Sequence, residues 1–377
     1  MYLIEHDAKQ LLARHGVPVP AGCLLTGPAA ASVLPPGPWV VKGQITAGGR
    51  GKAGLIRKAA TAAEVRSQSA EILGKMIKGR TVRAVRAEQQ VHGAHEAYIS
   101  MLLDPAQAGV RIIMAAQGGM DIEALPREAL RMTTAAPDAV TLAAAAEQLA
   151  ASFSGATGKA LAAAGRALAT AFIAEEALLI EINPLFVQPD GAWIAGDAKI
   201  ITDDSALPRQ PAQRALLDNT TSYQETALKD AHGCDYVVVD PAGEIALLTT
   251  GAGLSMMLID EMRGAGLKPY NFLDIRTGGL RGEITRLVHV LQWMREGPNV
   301  KVLLINIFAG ITELGEFSRL LVSALNAVPE FKVPVVARLV GNGMATARTV
   351  LAAAGITLHD DLDAALAAVR AHLEQHA

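Results

Sequence analysis

Apolar side chains recur along this chain with two different periods, and the alternation between them outlines its elements. Ile4, Ala8, Leu11 and Leu12 repeat at helical spacing and predict a short amphipathic helix over residues 4–15. Gly16 supplies its stop, and VPVP (17–20) must run extended because proline fixes φ and restricts the residue before it. PWVVKGQI (38–45) predicts a strand that feeds directly into the glycine-rich TAGGRGKAG (46–54). Val65, Ser69, Ile72, Leu73 and Met76 return to the helical period and predict a helix over 63–77. EAYISMLLD (96–104) alternates and precedes RIIMAAQGG (111–119), as neighbouring strands of an antiparallel sheet do. The alanine-rich 140–175 reads as helix broken at 154–158. LLIEINPLFV (178–187) and AWIAGDAKI (192–200) read as a hairpin about QPDG (188–191).

Residues 203–230 turn polar, which predicts an inter-domain linker and two domains, 1–225 and 226–377. Beyond it strands alternate with helices: YVVVD (236–240), EIALLTT (244–250), YNFLDI (270–275), KVLLINIF (301–308), VPVVARLV (333–340) and GITLHD (355–360). Apolar runs separated by helices predict an α/β domain with a doubly wound parallel sheet. Such sheets bind ligands at the carboxyl ends of their strands. Here those ends carry TGAGL (250–254), DIRTGGLRG (274–282) and FAGITE (308–313).

Composition narrows the class. At 377 residues the chain exceeds one ordinary core, and 51% hydrophobic against 19% charged residues excludes a disordered polymer. A net charge of -3 gives no reason to expect nucleic acid or an anionic membrane as partner. Cys23 and Cys234 stand far apart, so neither a disulfide framework nor a thiolate metal site is expected, and a reducing compartment suits them. The first residues lack a signal peptide's apolar core, and no run approaches the roughly 18 apolar residues of a membrane span. The expectation is a cytoplasmic protein.

Four segments carry candidate chemistry. In VVKGQITAGGRGKAG (40–54) a lysine leaves a strand just before a glycine-rich loop whose N–H groups can approach a nucleotide's phosphates. It is not a P-loop, because Ala53 follows Lys52 where Ser or Thr is required. The other reading is a glycine-rich surface hairpin. EINP (181–184) with Asp197 can offer Mg²⁺ two hard oxygens, or it is a polar hairpin whose Asn183 is satisfied locally. Glu88 and Glu96 bracket QQVHGAH and suit either a ribose and an adenine amino group or water; His92 and His95 find no further metal ligand. TGAGL is an anion-favouring strand-to-helix turn or a purely structural one. His289 lies within a helix, and no histidine has a nucleophile's setting.

In this order the segments resemble the β subunit of succinate–CoA ligase and its relatives, the malate–CoA ligases and the ATP-citrate lyase family. The resemblance runs through EHDAKQLLARHGVPVP, WVVKGQITAGGRGKAG, QGGMDIE (117–123), LIEINPL (179–185), DAK (197–199), GAGL, NFLDI and INIFAGI (305–311), nearly the whole chain. It implies an ATP-grasp domain followed by a flavodoxin-like CoA-ligase domain. It implies that Lys42 and Gly49-Arg50-Gly51 hold the phosphates of ATP or ADP, and that Glu88, the backbone near Val91, and Glu96 hold adenosine. It further implies that Asn183 and Asp197 bind Mg²⁺, and that Glu181 meets a phosphorylated histidine. That histidine, and most of the CoA site, would belong to a separate α subunit. Pro20 matches the adenine-using branch.

Three departures fall where the family recognises its small carboxylic acid, a region spanning Thr250, Arg276, Gly310, Ile311 and Thr312 here. Thr250 replaces an asparagine, Arg276 a glycine, and Glu313 an arginine. The exchange of charge suggests an acid other than succinate, whose second charge meets Arg276. The stretch 120–175 is also short and alanine-rich against the family. Two other readings stay open: a carboxylate–amine ligase of ATP-grasp type, and a non-catalytic nucleotide-binding regulator.

Overall fold

Ala8, Leu11 and Leu12 of the first helix, α1 (Glu5–Arg14), are buried as the period requires. So are Glu5, His6, Asp7 and Lys9, which an amphipathic helix would turn to water. This is the computed structural model of the chain, and it describes residues 1–27, 34–77, 80–92, 94–119, 122, 125–218, 220–277, 280, 282–310 and 312–375. The chain divides into two units, Met1–Tyr223 and Gln224–Ala377.

The first unit continues with β1 (Gly22–Leu25), β2 (Trp39–Gln44), β3 (Ile56–Ala59), α2 (Ala62–Ile72), β4 (Met76–Ile77), β5 (Arg80–Thr81) and β6 (Ala84–Gln89). Four strands make an antiparallel sheet in the order β1-β6-β2-β3, with Val41, Leu55, Val65, Ile72 and Val85 in its core. α2 ends earlier than its apolar period suggests. Leu73 swings to extended backbone and Gly74 takes φ +81°, so Met76 lies in the β4–β5 ribbon and is largely exposed.

A second antiparallel sheet uses β7 (His95–Asp104), β8 (Gly109–Ala115), β9 (Arg131–Ala135), β10 (Ala177–Val187), β11 (Trp193–Ala195) and β12 (Lys199–Thr202). Its order is β11-β10-β7-β8-β9, and β12 also pairs with β10. The expected hairpin and the β7–β8 pair are both present. Two helices lie between β9 and β10 in sequence, α3 (Ala139–Ala150) and α4 (Gly155–Ala174). Their alanines serve close packing: a Cβ on Gly165 would stand 2.6 Å from that of Ala146.

The polar stretch after 203 is not an open linker. Two short 3-10 turns flank α5 (Pro211–Arg214) and lead into α6 (Thr220–His232). Its polar groups are used internally. Buried Gln213 donates to the carbonyl of Glu175 at 2.7 Å, and buried Tyr223 donates to Asp7 at 2.5 Å. Tyr223 departs from helical backbone (φ -122°) within α6, at the division between the units.

The second unit contains β13 (Asp235–Val238), β14 (Ile245–Thr249), α7 (Ala252–Gly264), β15 (Asn271–Asp274), α8 (Thr285–Arg295), β16 (Val302–Ala309), α9 (Leu314–Ala327), β17 (Val335–Gly341), α10 (Met344–Ala353), β18 (Leu358–His359) and α11 (Leu362–Glu374). β14-β16-β17-β18 form the parallel sheet. α8, α9 and α10 pack on one face, and α7 and α11 on the other. The expectation that all six strands run parallel needs correcting, because β13 pairs antiparallel with β15. β15 meets β14 through backbone bonds at its ends, Tyr270 N to Ile245 O at 2.8 Å and Ile275 N to Thr249 O at 2.9 Å, and through a side chain between them: buried Asn271 accepts from Leu247 N and donates to Leu247 O, each at 2.9 Å. The amide stands in for a peptide group in the ladder. Among the described residues no helix is long and apolar enough to cross a membrane.

Candidate functional site

Asn183 and Asp197 face each other across β10 and the segment joining β11 to β12. Leu185 pairs with Ala195 on one side and Glu181 with Lys199 on the other, so the same register puts Asn183 opposite Asp197. Both strands are irregular here. Ile180 and Ile182 are buried before the break, but Leu185 and Val187 after it, and the pairing of β10 with β7 shifts by one residue. A bulge re-aims side chains in this manner. Glu181, Asn183 and Asp197 are half-buried rather than sealed in the core.

Beside Asp197 lies a buried ionic cluster. Lys42, near the end of β2, donates to Glu5 at 2.8 Å and to the carbonyl of Gly196 at 2.6 Å, and it lies 2.7 Å from Glu88. Arg50 donates through Nη1 to the other oxygen of Glu5 at 2.5 Å and through Nη2 to both oxygens of Asp197 at 2.6 and 2.8 Å. Lys9 donates to both oxygens of Glu88 and to Gly196 O, and it lies 2.7 Å from Glu5. Arg86 completes the ring through Glu88 at 2.7 Å.

In the ion pairs of this cluster among the described residues, four cations meet three carboxylates, one positive charge more than these carboxylates carry. Burial works against every charge here, yet for most of them the neighbours win. It would raise Glu5, but Arg50, Lys42 and Lys9 together hold that carboxyl well below its usual range. It would lower Lys42, but Glu5, Glu88 and Asp197 push it up, and Arg50 is raised likewise by Asp197 and Glu5. Both cations stay fully charged.

The other nucleotide-site candidates are placed as follows. Gly49 (φ +91°) and Gly51 are exposed on the loop that carries Arg50. Glu88 is 2% exposed, its carboxylate surrounded by Lys9, Lys42 and Arg86. Val91 lies half-buried between β6 and β7, and Glu96 is exposed on β7, in the other sheet. Gly119 links Glu96 to Asn183: its N–H donates to Asn183 Oδ1 at 2.7 Å, and a Cβ there would stand 1.8 Å from the Glu96 carboxylate. With φ +74° as well, the position requires glycine. Residues 120, 121 and 123 of the same motif lie outside the described residues. Glu181 pairs in register with Ser100, and the Tyr98 hydroxyl bonds to its side chain.

In the second unit the carboxyl ends of the strands are bound to one another. Thr250 lies half-buried after β14, and Gly251 (φ +82°) turns the chain into α7. Asp274, closing β15, accepts from Gly251 N at 2.8 Å and from Arg276 N at 3.1 Å. Arg276, itself at φ +49°, points its exposed guanidinium to Asp235 at 2.5 Å. Thr312 donates to Thr277 at 3.1 Å, while Gly310 is exposed. Ile311, with 278, 279 and 281, lies outside the described residues. Glu313 caps α9 by accepting from Glu316 N at 2.6 Å.

The periodicity reading missed Glu5, Lys9 and Arg86. A signal existed for two of them, since positions 5, 8, 9 and 12 form one helical stripe, and Glu5 and Lys9 share it with Ala8 and Leu12. Tyr2 was missed too. Its hydroxyl feels Arg50, Asp197 and Glu181, and burial pushes it up to about 12.

The ATP-grasp domain family matches residues 2–187, and the CoA-ligase family matches residues 248–372. A succinate–CoA ligase [ADP-forming] subunit beta from Chloroflexus aurantiacus is 38% identical, over 99% of this chain and 100% of the relative. One of the same description from Acidithiobacillus ferrooxidans is 33% identical, over 98% and 99%. An ATP citrate lyase from Methanothrix soehngenii, solved with citrate and coenzyme A, shares the fold: TM-score 0.66 at 18% identity, over 95% of both chains.

Proposed function

The chain belongs to the succinate–CoA ligase β-subunit family, and from that premise we propose that it is the ATP-using β subunit of an ADP-forming acid–CoA ligase. The observation that carries the nucleotide site is the cation cluster, with Lys42 and Arg50 held on one carboxylate beside Asp197. A polyphosphate is the counter-charge that such a surplus suits. At about 4 Å and an effective dielectric near 20, each new cation–phosphate pair contributes roughly 4 kcal/mol. The CoA-ligase half leaves the carboxylate–amine ligase reading with no use for residues 248–372. The intact Lys42, Asn183 and Asp197 speak against a regulator.

Phosphoryl transfer depends on placement and charge neutralisation. Lys42, Arg50 and the N–H groups of the 46–54 loop bind and orient the phosphates, while Glu96 and the backbone at Val91 reach towards the nucleoside. Asn183 and Asp197 offer two hard oxygens, and no group of three or more His, Cys, Asp or Glu suited to a metal occurs among the described residues. That donor set fits Mg²⁺ shared with phosphate oxygens rather than an all-protein cage. Bound there, Mg²⁺ would neutralise charge on the transferring phosphate.

The γ-phosphoryl leaves ADP and forms a P–N bond to a histidine of an α subunit, which Glu181 orients. It then passes to the carboxylate of a small acid held near Thr250, Arg276 and 310–312. The CoA thiol attacks the acyl carbon and releases phosphate. The exchange of charge at Arg276 and Glu313 in the sequence is the ground for proposing an acid other than succinate; in the structure Arg276 is paired with Asp235 and Glu313 caps α9.

The test is transfer of label from γ-labelled ATP in the chain co-purified with its α partner. Acid-labile label should appear on the partner and be discharged only by CoA with a particular acid. Lys42→Ala and Asp197→Ala should each abolish labelling with the fold intact. Labelling that survives either change removes that residue from the site, and an unlabelled partner removes the histidine relay.

A further inference from the structure

We propose that Glu5 is a positioning residue of the nucleotide site, setting Lys42 and Arg50 side by side at the spacing that adjacent phosphates require. The inference rests on the phosphate-binding role proposed above for those two cations. Glu5 lies on α1, outside the strand and loop that carry them, and its side chain is wholly buried. It gives one oxygen to each: Oε1 to Lys42 Nζ at 2.8 Å and Oε2 to Arg50 Nη1 at 2.5 Å. A carboxylate's two oxygens stand about 2.2 Å apart and are rigid, so a single group fixes the separation of both cations.

Glu5 is itself anchored. Lys9, one turn along α1 and wholly buried, lies 2.7 Å from Oε1 and donates to Glu88 and to the Gly196 carbonyl. Gly196 also accepts from Lys42 and immediately precedes Asp197. α1 thus reaches both the phosphate-facing cations and the segment between β11 and β12 that carries Asp197. Arg50 has long rotamer freedom, and without this grip its remaining hydrogen-bond partners among the described residues are Asp197 and Gly43 O, the latter at 3.5 Å.

Charge alone predicts the opposite result from positioning, and this makes the idea testable. Glu5→Gln removes a negative charge from beside two cations, so a residue that merely neutralises them would, once removed, leave ADP bound more tightly. If Glu5 positions them, removal weakens binding. The complex with the α partner is titrated with Mg·ADP by calorimetry, and KM for ATP and kcat for partner phosphorylation are measured separately. Glu5→Gln should weaken Mg·ADP at least tenfold and raise KM for ATP by a similar factor, with KM for CoA unchanged.

Glu5→Asp keeps the charge but withdraws the carboxylate by one methylene, and it should weaken Mg·ADP by several-fold. It also serves if the glutamine variant does not fold, as circular dichroism would show. Unchanged or tighter Mg·ADP binding in a folded variant overturns the positioning role. If the wild-type complex binds no Mg·ADP, the nucleotide-site reading fails and this inference falls with it. If the wild type binds and Lys42→Ala does not, but both Glu5 variants bind normally, only the inference falls.

Discussion

Burial, followed by the charge of Arg86, pushes the His6 imidazole down from its ordinary 6.5 to about 4. Arg86 Nη1 lies 2.7 Å from Nδ1, which leaves that nitrogen as an acceptor. Below pH 6.5 an unfolded chain protonates His6 while the folded one does not, until pH nears 4. Stability from this group is therefore complete above pH 6.5 and falls as pH drops towards 4. Buried Asp7, raised by desolvation, opposes the trend in part. We expect the urea midpoint to fall between pH 6.5 and 4.5, and to fall less in His6→Gln; equal slopes would clear His6. Lys42, Asn183 and Asp197 stood out in the sequence because each adjoins a distinctive strand or loop. Glu5 and Lys9 did not, because a charge on a helix normally signals water, and only the packing of another charged element against it reverses that.

Asn271 is an element-level device, since one amide supplies the middle of the β14–β15 contact, between the backbone bonds from Tyr270 N to Ile245 O and from Ile275 N to Thr249 O. Asn271→Leu would leave Leu247 N–H and C=O buried without partners, at a cost of about 2–4 kcal/mol. Denaturant unfolding of the second unit should register that loss, and a change below about 0.5 kcal/mol would mean that the pairing contributes little. Although β1, β3, β6 and β9 of the first unit were not read as strands, the strands of the second unit were legible from apolar runs, as were the α7 turn and the break between α3 and α4. The direction of β13 was not, because an apolar run of four or five residues carries no sign of parallel or antiparallel pairing. Nor was the early end of α2, where Leu73 and Met76 kept a helical period past the glycine that reverses the chain. The helices after 203 looked like linker because their polar side chains are used inside the fold.

For the whole molecule, nucleotide binding should stabilise one unit alone. At a hundred times its dissociation constant, Mg·ADP adds about 2.7 kcal/mol to whatever must unfold to release it. Hydrogen exchange should slow in β2, β6 and β10 and stay unchanged in β14, β16 and β17. Equal slowing throughout would mean that both units open together. The division into two folding patterns was readable from the change of period. The loops of the second unit proposed to hold the acid were readable as positions, but not as a connected set. Asp274 ties the β14 loop to its own, Thr277 ties in the β16 loop, and Leu314 N–H reaches Asn342 O beyond β17 at 2.9 Å. Such a set has a historical consequence. On the proposal that these loops hold the acid, a lineage adapting to a new one cannot adjust them one at a time, because each substitution shifts the backdrop against which the next is selected. Preferences here should change in blocks, and chimaeras that exchange one loop between relatives should inherit neither parent's choice.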